Sequence, residues 1–123
     1  AGRTRIRLVS GGMFPSGSAD LISRYDPTVE KIAAALNDEP GRVLVEGHSD
    51  AEPISTARFP SNFHLSEARA AAVAALLRSR LERPARLDVR GVGDARLLDP
   101  ENPTSGVNRR VELLLDRVVE TEG

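Results

Sequence analysis

Val43-Leu-Val-Glu-Gly-His-Ser-Asp50 is a short apolar run that ends in glycine and a carboxylate, and after a polar loop Leu65-Ser-Glu-Ala-Arg-Ala70 opens a segment with helical spacing. A strand, a loop and a helix follow from that pattern, and a further strand at Arg86 to Gly91 comes next. Two strands joined through a helix are expected to be parallel, with a right-handed crossover. That topology places Asp50 and the start of the helix at the same end of a sheet. One fixed negative charge and one fixed positive charge, Asp50 and Arg69, would then face a single groove, an arrangement suited to a zwitterionic ligand.

The rest of the chain fits around this unit. Arg3 to Val9 alternates arginines with Thr4, Ile6 and Leu8, the period of a half-buried strand with Arg3, Arg5 and Arg7 on one face. Gly11 to Ser18 is rich in turn residues. Asp26-Pro27 opens a helix with Asp as N-cap and Pro at its first position, and Val29, Ile32, Ala33 and Leu36 share one face of it. Asn37 to Gly41 ends that helix, and Arg42 to Glu46 is the second strand. The second helix is expected from Ser66 to about Leu81, with Ala70, Val73, Ala74, Leu77 and Leu81 on one stripe, and Pro84 stops it. The last strand, Arg109 to Leu115, turns Val111, Leu113 and Leu115 to one side. The order β-α-β-α-β-β predicts an α+β sandwich, a mixed four-stranded sheet with two main helices on one face. Residues 1–123 form one domain, without internal repeat, low-complexity segment or linker.

Arg69 breaks a local rule in this scheme. With Ser66 as N-cap it occupies the third helical position, where a capping box wants Glu or Gln and where the macrodipole disfavours a cation. Violations of local consistency gather at functional sites. The structural alternative is an ion pair with Glu67 or Asp50.

Composition narrows the function classes. The 123 residues are 40% hydrophobic, enough for one core without staples. There is no cysteine, which excludes disulfides and thiolate metal sites and leaves the redox compartment open. With 17 basic and 18 acidic residues the net charge is −1, so there is no electrostatic footprint for nucleic acid. Aromatics make up only 3%, leaving few platforms for stacking bases or sugars. The longest apolar stretch, Ala70 to Leu77, is under half of the roughly 20 residues needed to span a bilayer, and no signal peptide is present. The chain is therefore expected to be an excised domain whose anchor and targeting signal lie elsewhere.

Four motifs in order carry a resemblance: Val43 to Asp50, Leu65 to Ala70, Arg90-Gly-Val-Gly93 and Asn108-Arg-Arg-Val-Glu112. Together, over about Met13 to Leu115, they resemble the successive motifs of the OmpA-like peptidoglycan-binding domain. The resemblance implies a similar mixed sheet backed by two helices, and binding to the stem peptide of peptidoglycan through meso-diaminopimelate. In that family the positions of Asp50 and Arg69 hold this residue, Asp50 taking its ammonium and Arg69 a carboxylate. Asn62, Leu65, Ser66 and Arg109 are further candidates for the ligand site, although a loop Asn, a capping Ser and an Arg in an internal salt bridge need no ligand to explain them. Phe14 and Phe63 are either core residues, the favoured alternative, or a cover for the ligand's aliphatic chain.

The loop Pro53 to His64 is longer than in outer-membrane OmpA and the Pal lipoprotein, and its Phe59-Pro-Ser-Asn-Phe63 string resembles the inner-membrane members. His64 resembles TssL-type proteins of type VI secretion more than the flagellar stator family MotB, where an acidic residue is usual. The resemblance implies a periplasmic domain of a membrane-anchored, inner-membrane protein of a Gram-negative bacterium. Its partners would be peptidoglycan, other subunits of a membrane secretion complex and, as the family often dimerises, a second copy; the domain itself would not touch membrane. A stator wall anchor, or an assembly module that has lost its ligand, are the alternatives.

Catalysis is not expected. His48, Ser49 and Asp50 contain triad residue types, but consecutive strand residues point to opposite faces. There is no nucleophile elbow, and nothing fixes the separation of Asp50 and Glu52 as a glycosidase pair. No cofactor is expected, and no metal either: His48 and His64 are the only histidines, and no Asp or Glu has ligand spacing to both.

Overall fold

A computed structural model describes residues 2–8 and 14–117. Strand β1 (Gly2–Leu8) is followed by helix α1 (Asp26–Asn37), strand β2 (Arg42–Gly47), helix α2 (Asn62–Arg78), strand β3 (Leu87–Gly91) and strand β4 (Val111–Arg117). The sheet order is β1-β4-β2-β3, with β2 and β3 parallel and both other pairings antiparallel. The expected order and mixed sheet are therefore present. Val9 and Gly11 to Met13 lie outside the described residues.

Alternation decides which side of the sheet is covered. Val43 and Val45 of β2, Leu87 of β3, and Val111, Leu113 and Leu115 of β4 are buried against Val29, Ala33 and Leu36 of α1 and Val73, Ala74 and Leu77 of α2. Each fully buried Val or Leu side chain contributes about 1.5–3 kcal/mol. Ile32 and Val89 pack at the margin of the same core.

Both helices start earlier than the sequence suggests. Asp26 is inside α1 and Tyr25 is the N-cap, because a 3-10 turn at Ser23–Tyr25 feeds the helix. Asp26 thus acts on the first turn by charge, favourable at the positive end of the dipole. Ser61, not Ser66, caps α2: it is extended, with φ −154 and ψ 167, and its hydroxyl accepts from the His64 N–H. Pro60 directly before it is the punctuation that marks this start. Arg69 consequently sits well inside α2, clear of the first turn, so neither the missing capping box nor the dipole penalty applies to it. Nor does Ser66 offer a free helix-start N–H. The helix ends at Arg78, and Pro84 lies in a separate 3-10 turn, Pro84–Arg86.

Arg86 is mostly buried and acts as a long-range cap on α1. It donates to Leu36 O at 2.7 Å, Glu39 O at 2.7 Å and Gly41 O at 2.8 Å, satisfying carbonyls at and beyond the helix end. Two glycines seat α2 on the sheet. A Cβ on Gly47 would lie 1.9 Å from Ser66 O, and one on Gly91 would lie 2.4 Å from the Glu67 N. Only bare backbone at the ends of β2 and β3 lets α2 approach this closely, and that approach sets the height of Arg69 above the sheet.

Candidate functional site

The segment after β2 leaves the sheet under backbone control. His48 N donates to Arg110 O at 2.8 Å, Ser49 N to Gly93 O at 2.9 Å and Ala51 N to Pro103 O at 2.8 Å. Asp50, 6% exposed, is thereby held at the sheet end. Its Oδ1 accepts from the Glu52 N–H at 2.9 Å, and its Oδ2 accepts from Arg109 Nη1 at 2.8 Å. Arg109 comes from the residue pair just before β4, after a loop organised by the fully buried Asn108. That amide donates to the carbonyls of Asp99, Asn102 and Pro103 and accepts from the Asp99 N–H.

Arg69 reaches the same place from α2. It is fully buried, lies 5.3 Å over the Phe14 ring, and donates from Nε to Ser18 O at 2.9 Å and from Nη2 to Pro15 O at 3.3 Å. The alternative of an ion pair with Glu67 or Asp50 is not what holds it; backbone carbonyls and an aromatic face do. Burial, with the nearby Arg109 charge, lowers its pKa to about 10 against the opposing pull of Asp50, so it remains a cation at neutral pH. Arg69 Nη1 and Arg109 Nε are buried with no hydrogen-bond partner among the described residues. Buried N–H groups are rarely left unpaired, and each costs about 1–3 kcal/mol.

These groups line a cavity of about 360 Å³, together with Ser16, Gly17 and the loop from Glu52 to Thr56. Asn62 and Leu65 complete it, so five of the six expected site residues, Asp50, Asn62, Leu65, Arg69 and Arg109, meet in one place. Asn62 also holds the wall, donating to Glu52 O at 3.0 Å. Phe59 and Ile54 pack this loop against Ala19, Leu65 and Ala68. Ser66 is the exception. Its hydroxyl donates to Phe63 O at 2.8 Å and accepts from the Gly93 N–H at 2.8 Å, so it stitches α2 to the loop after β3 and does not line the cavity. Phe14 is core, while Phe63 is 50% exposed. Glu52 belongs to the cavity and was not anticipated; a loop carboxylate has no periodicity to announce it.

A second charged group lies on the helix-free side of the sheet. Glu46, His48 and Glu112 are each 1% exposed, with possible ligand atoms within 4.8 Å of one another. Guanidiniums already occupy the carboxylates. Arg90 pairs with Glu46 through Nε at 3.1 Å and also through Nη2, Arg96 reaches the same carboxylate at 3.4 Å, and Arg110 Nε donates to Glu112 at 2.6 Å. His48 Nε2 is 3.0 Å from Glu46 Oε1, which assigns its proton to that nitrogen. Burial and the Arg110 charge lower the His48 pKa, so the ring is neutral at pH 7. Three arginines around two carboxylates oppose a metal ion here.

Fold and cavity together are those of an α+β domain with a charged cavity at one end of its sheet. The chain belongs to the OmpA family, whose model matches residues 13–110. It is 34% identical over 105 residues to motility protein B of Escherichia coli K12, covering 84% of this chain and 34% of that protein, and 32% identical over 108 residues to YtxE of Bacillus subtilis, covering 85% and 45%. The chain thus spans less than half the length of these relatives. Among solved structures, the cell wall anchor of the type VI secretion system from Pseudomonas aeruginosa superposes with a TM-score of 0.81 at 36% identity, over 94% of this chain and 82% of that one. The periplasmic domain of Helicobacter pylori MotB gives a TM-score of 0.83 at 23% identity, over 95% of this chain and 75% of that one, a likeness of fold. No helix among the described residues is long and apolar enough to cross a membrane.

Proposed function

We propose that this domain binds peptidoglycan without turnover, taking the meso-diaminopimelate of a stem peptide into the cavity between Asp50, Arg69 and Arg109, and so fastens an inner-membrane machine to the cell wall from the periplasm. The observation that carries this is the pair of buried guanidinium N–H groups, Arg69 Nη1 and Arg109 Nε, left without partners at a cavity that also contains Asp50. A carboxylate would supply the missing acceptors, by the charge-assisted bonds that guanidiniums form best. Diaminopimelate in a stem peptide presents a free amino-acid head, an ammonium and a carboxylate on one carbon, beyond an aliphatic spacer that Leu65 and Ile54 can cover.

The likeness to the Pseudomonas anchor, at 36% identity across most of both chains, supports type VI secretion as the machine. The 34% identity to E. coli motility protein B favours a flagellar stator as the second candidate. Two or three charge-assisted bonds at about 1.5–3 kcal/mol each, less the cost of association, give a monovalent Kd in roughly the micromolar-to-millimolar range. Firm attachment then comes from several domains on one polymer.

Co-sedimentation with diaminopimelate-type sacculi tests the proposal, run beside Asp50→Ala and Arg69→Ala with circular dichroism to establish folding. The wild type is expected to pellet with sacculi and both folded variants to stay in solution. A wild type that remains in solution would identify an assembly module that keeps the fold without the ligand.

A further inference from the structure

We infer that Glu52, on the cavity rim, is the carboxylate that receives the ligand's ammonium, and that it makes the site selective for a free amino-acid head over one whose amine is acylated. The inference rests on the proposal above and deepens it. Asp50 is poorly placed to do this alone. One of its oxygens holds the Glu52 N–H and the other holds Arg109 at 2.8 Å, so its charge is already neutralised within the protein. The side chain of Glu52, by contrast, is exposed, lines the same cavity and has no hydrogen-bond or ion-pair partner among the described residues.

Charge balance decides between the two ligand forms. With Asp50 set against Arg109, the buried Arg69 is a cation without a carboxylate of its own, held by the carbonyls of Ser18 and Pro15. Those three side chains alone carry one net positive charge, and such a cavity would prefer an anion: a head whose amine is acylated and whose carboxylate remains. Adding Glu52 brings the lining to two carboxylates and two guanidiniums, which suits a zwitterion. The turn that links Glu52 N to Asp50 Oδ1 keeps the two acids two residues apart in the cavity lining, while Arg69 and Arg109 supply the unpaired N–H groups for the ligand's carboxylate. Acylation of the amine is what a peptide cross-link does chemically. The site is therefore expected to prefer stem peptides whose side amine is not cross-linked.

The test combines a protein variant with a ligand variant. The full chain, wild type and Glu52→Gln, is titrated calorimetrically with a diaminopimelate-containing disaccharide tripeptide, once with its side amine free and once with that amine acetylated. Gln keeps the backbone N–H that Asp50 accepts. The wild type should lose about fivefold in affinity on acetylation, the scale of one partly exposed ion pair. Glu52→Gln should bind the free-amine form about fivefold more weakly than wild type and show no further loss on acetylation. An acetylation penalty in Glu52→Gln equal to that of the wild type overturns the inference and returns the ammonium to Asp50. Equal weakening of both forms by the substitution overturns it too, as a structural effect. Wild-type protein that binds neither peptide and no sacculi removes the underlying proposal instead.

Discussion

Two groups of carboxylates and guanidiniums flank the same end of the sheet, built from nearly adjacent residues, and they differ in completeness. On the helix-free side, Glu46 and Glu112 are bonded by Arg90, Arg96 and Arg110, and the His48 Nε2 proton is directed at Glu46. At the cavity, Asp50 is engaged by Arg109, but Arg69 Nη1 and Arg109 Nε have nothing to donate to among the described residues. Residue types alone do not separate the two groups; unpaired buried donors beside a cavity do, since among the described residues the one buried side-chain atom without a partner on the helix-free side, His48 Nδ1, is an acceptor in the tautomer that Glu46 sets. On the helix-free side the charged groups are paired with one another, which specifies a fold, whereas the buried donors left over beside the cavity are the feature on which the proposed ligand site rests.

Truncating the paired network on the helix-free side should give the largest effect. Arg110 is 4% exposed and also donates to Arg96 O at 3.0 Å, so Arg110→Ala strips a buried carboxylate of its 2.6 Å partner. A loss of about 3 kcal/mol in unfolding free energy is expected from removing a charged hydrogen-bond partner from a buried carboxylate, measured by urea denaturation. A change below about 1 kcal/mol would mean that the contrast with the cavity is not one of stability.

Arg109→Ala is the matching change at the cavity and should act mainly on binding. Its side chain is only partly buried, at 20% exposure, and removing it frees Asp50 while deleting one unpaired donor. We expect stability to fall by about 1 kcal/mol, the typical net value of one hydrogen bond, and sacculus binding to weaken about tenfold. Stability loss as large as that of Arg110→Ala, with binding retained by the folded fraction, would assign the cavity arginine to the structural class.

The sheet and its covered face were legible because period-2 alternation at Val43 and Val45, and at Val111, Leu113 and Leu115, is imposed by a single buried side. The start of α2 was not, since Asn62 to His64 shows no apolar stripe and Ser66 mimics a cap; Pro60-Ser61 was the stronger signal. Asp50 and Arg69 are legible in the motifs, but what sets Arg69 apart is full burial without a bonded carboxylate, not a place on the helix dipole. The network of Glu46, His48, Arg110 and Glu112 was invisible because strand register, Glu46 opposite Glu112, brings together residues far apart in the chain. Arg86, which caps α1 from the turn before β3, was hidden for the same reason.

The smallest expected effect is a dependence on pH confined to the network on the helix-free side. Groups facing His48 are Glu46 on β2, Arg90 on β3, Arg96 in the following loop, and Arg110 and Glu112 at β4, while Arg7 of β1 occupies the register position opposite Glu112. Burial first, then Arg110, lowers the folded-state pKa of His48, the two carboxylates opposing only in part. The unfolded chain, with a His pKa of about 6.5, therefore takes up a proton that the folded ring refuses. Stability should fall as pH drops below that unfolded value. Glu46 behaves differently in range: burial raises its pKa, but the Arg90 bond and the charges of His48, Arg90 and Arg96 hold it below the ordinary carboxylate value. Its contribution is present above the unfolded glutamate pKa, about 4.3, and is lost only in stronger acid. Between pH 7 and 5 the change belongs to His48. Thermal unfolding should show a lower Tm at pH 5 than at pH 7 for the wild type and a smaller difference for His48→Gln, whose amide can still donate to Glu46. An equal fall in both proteins would place the acid-sensitive group outside this network and weaken the division between the two sides of the sheet.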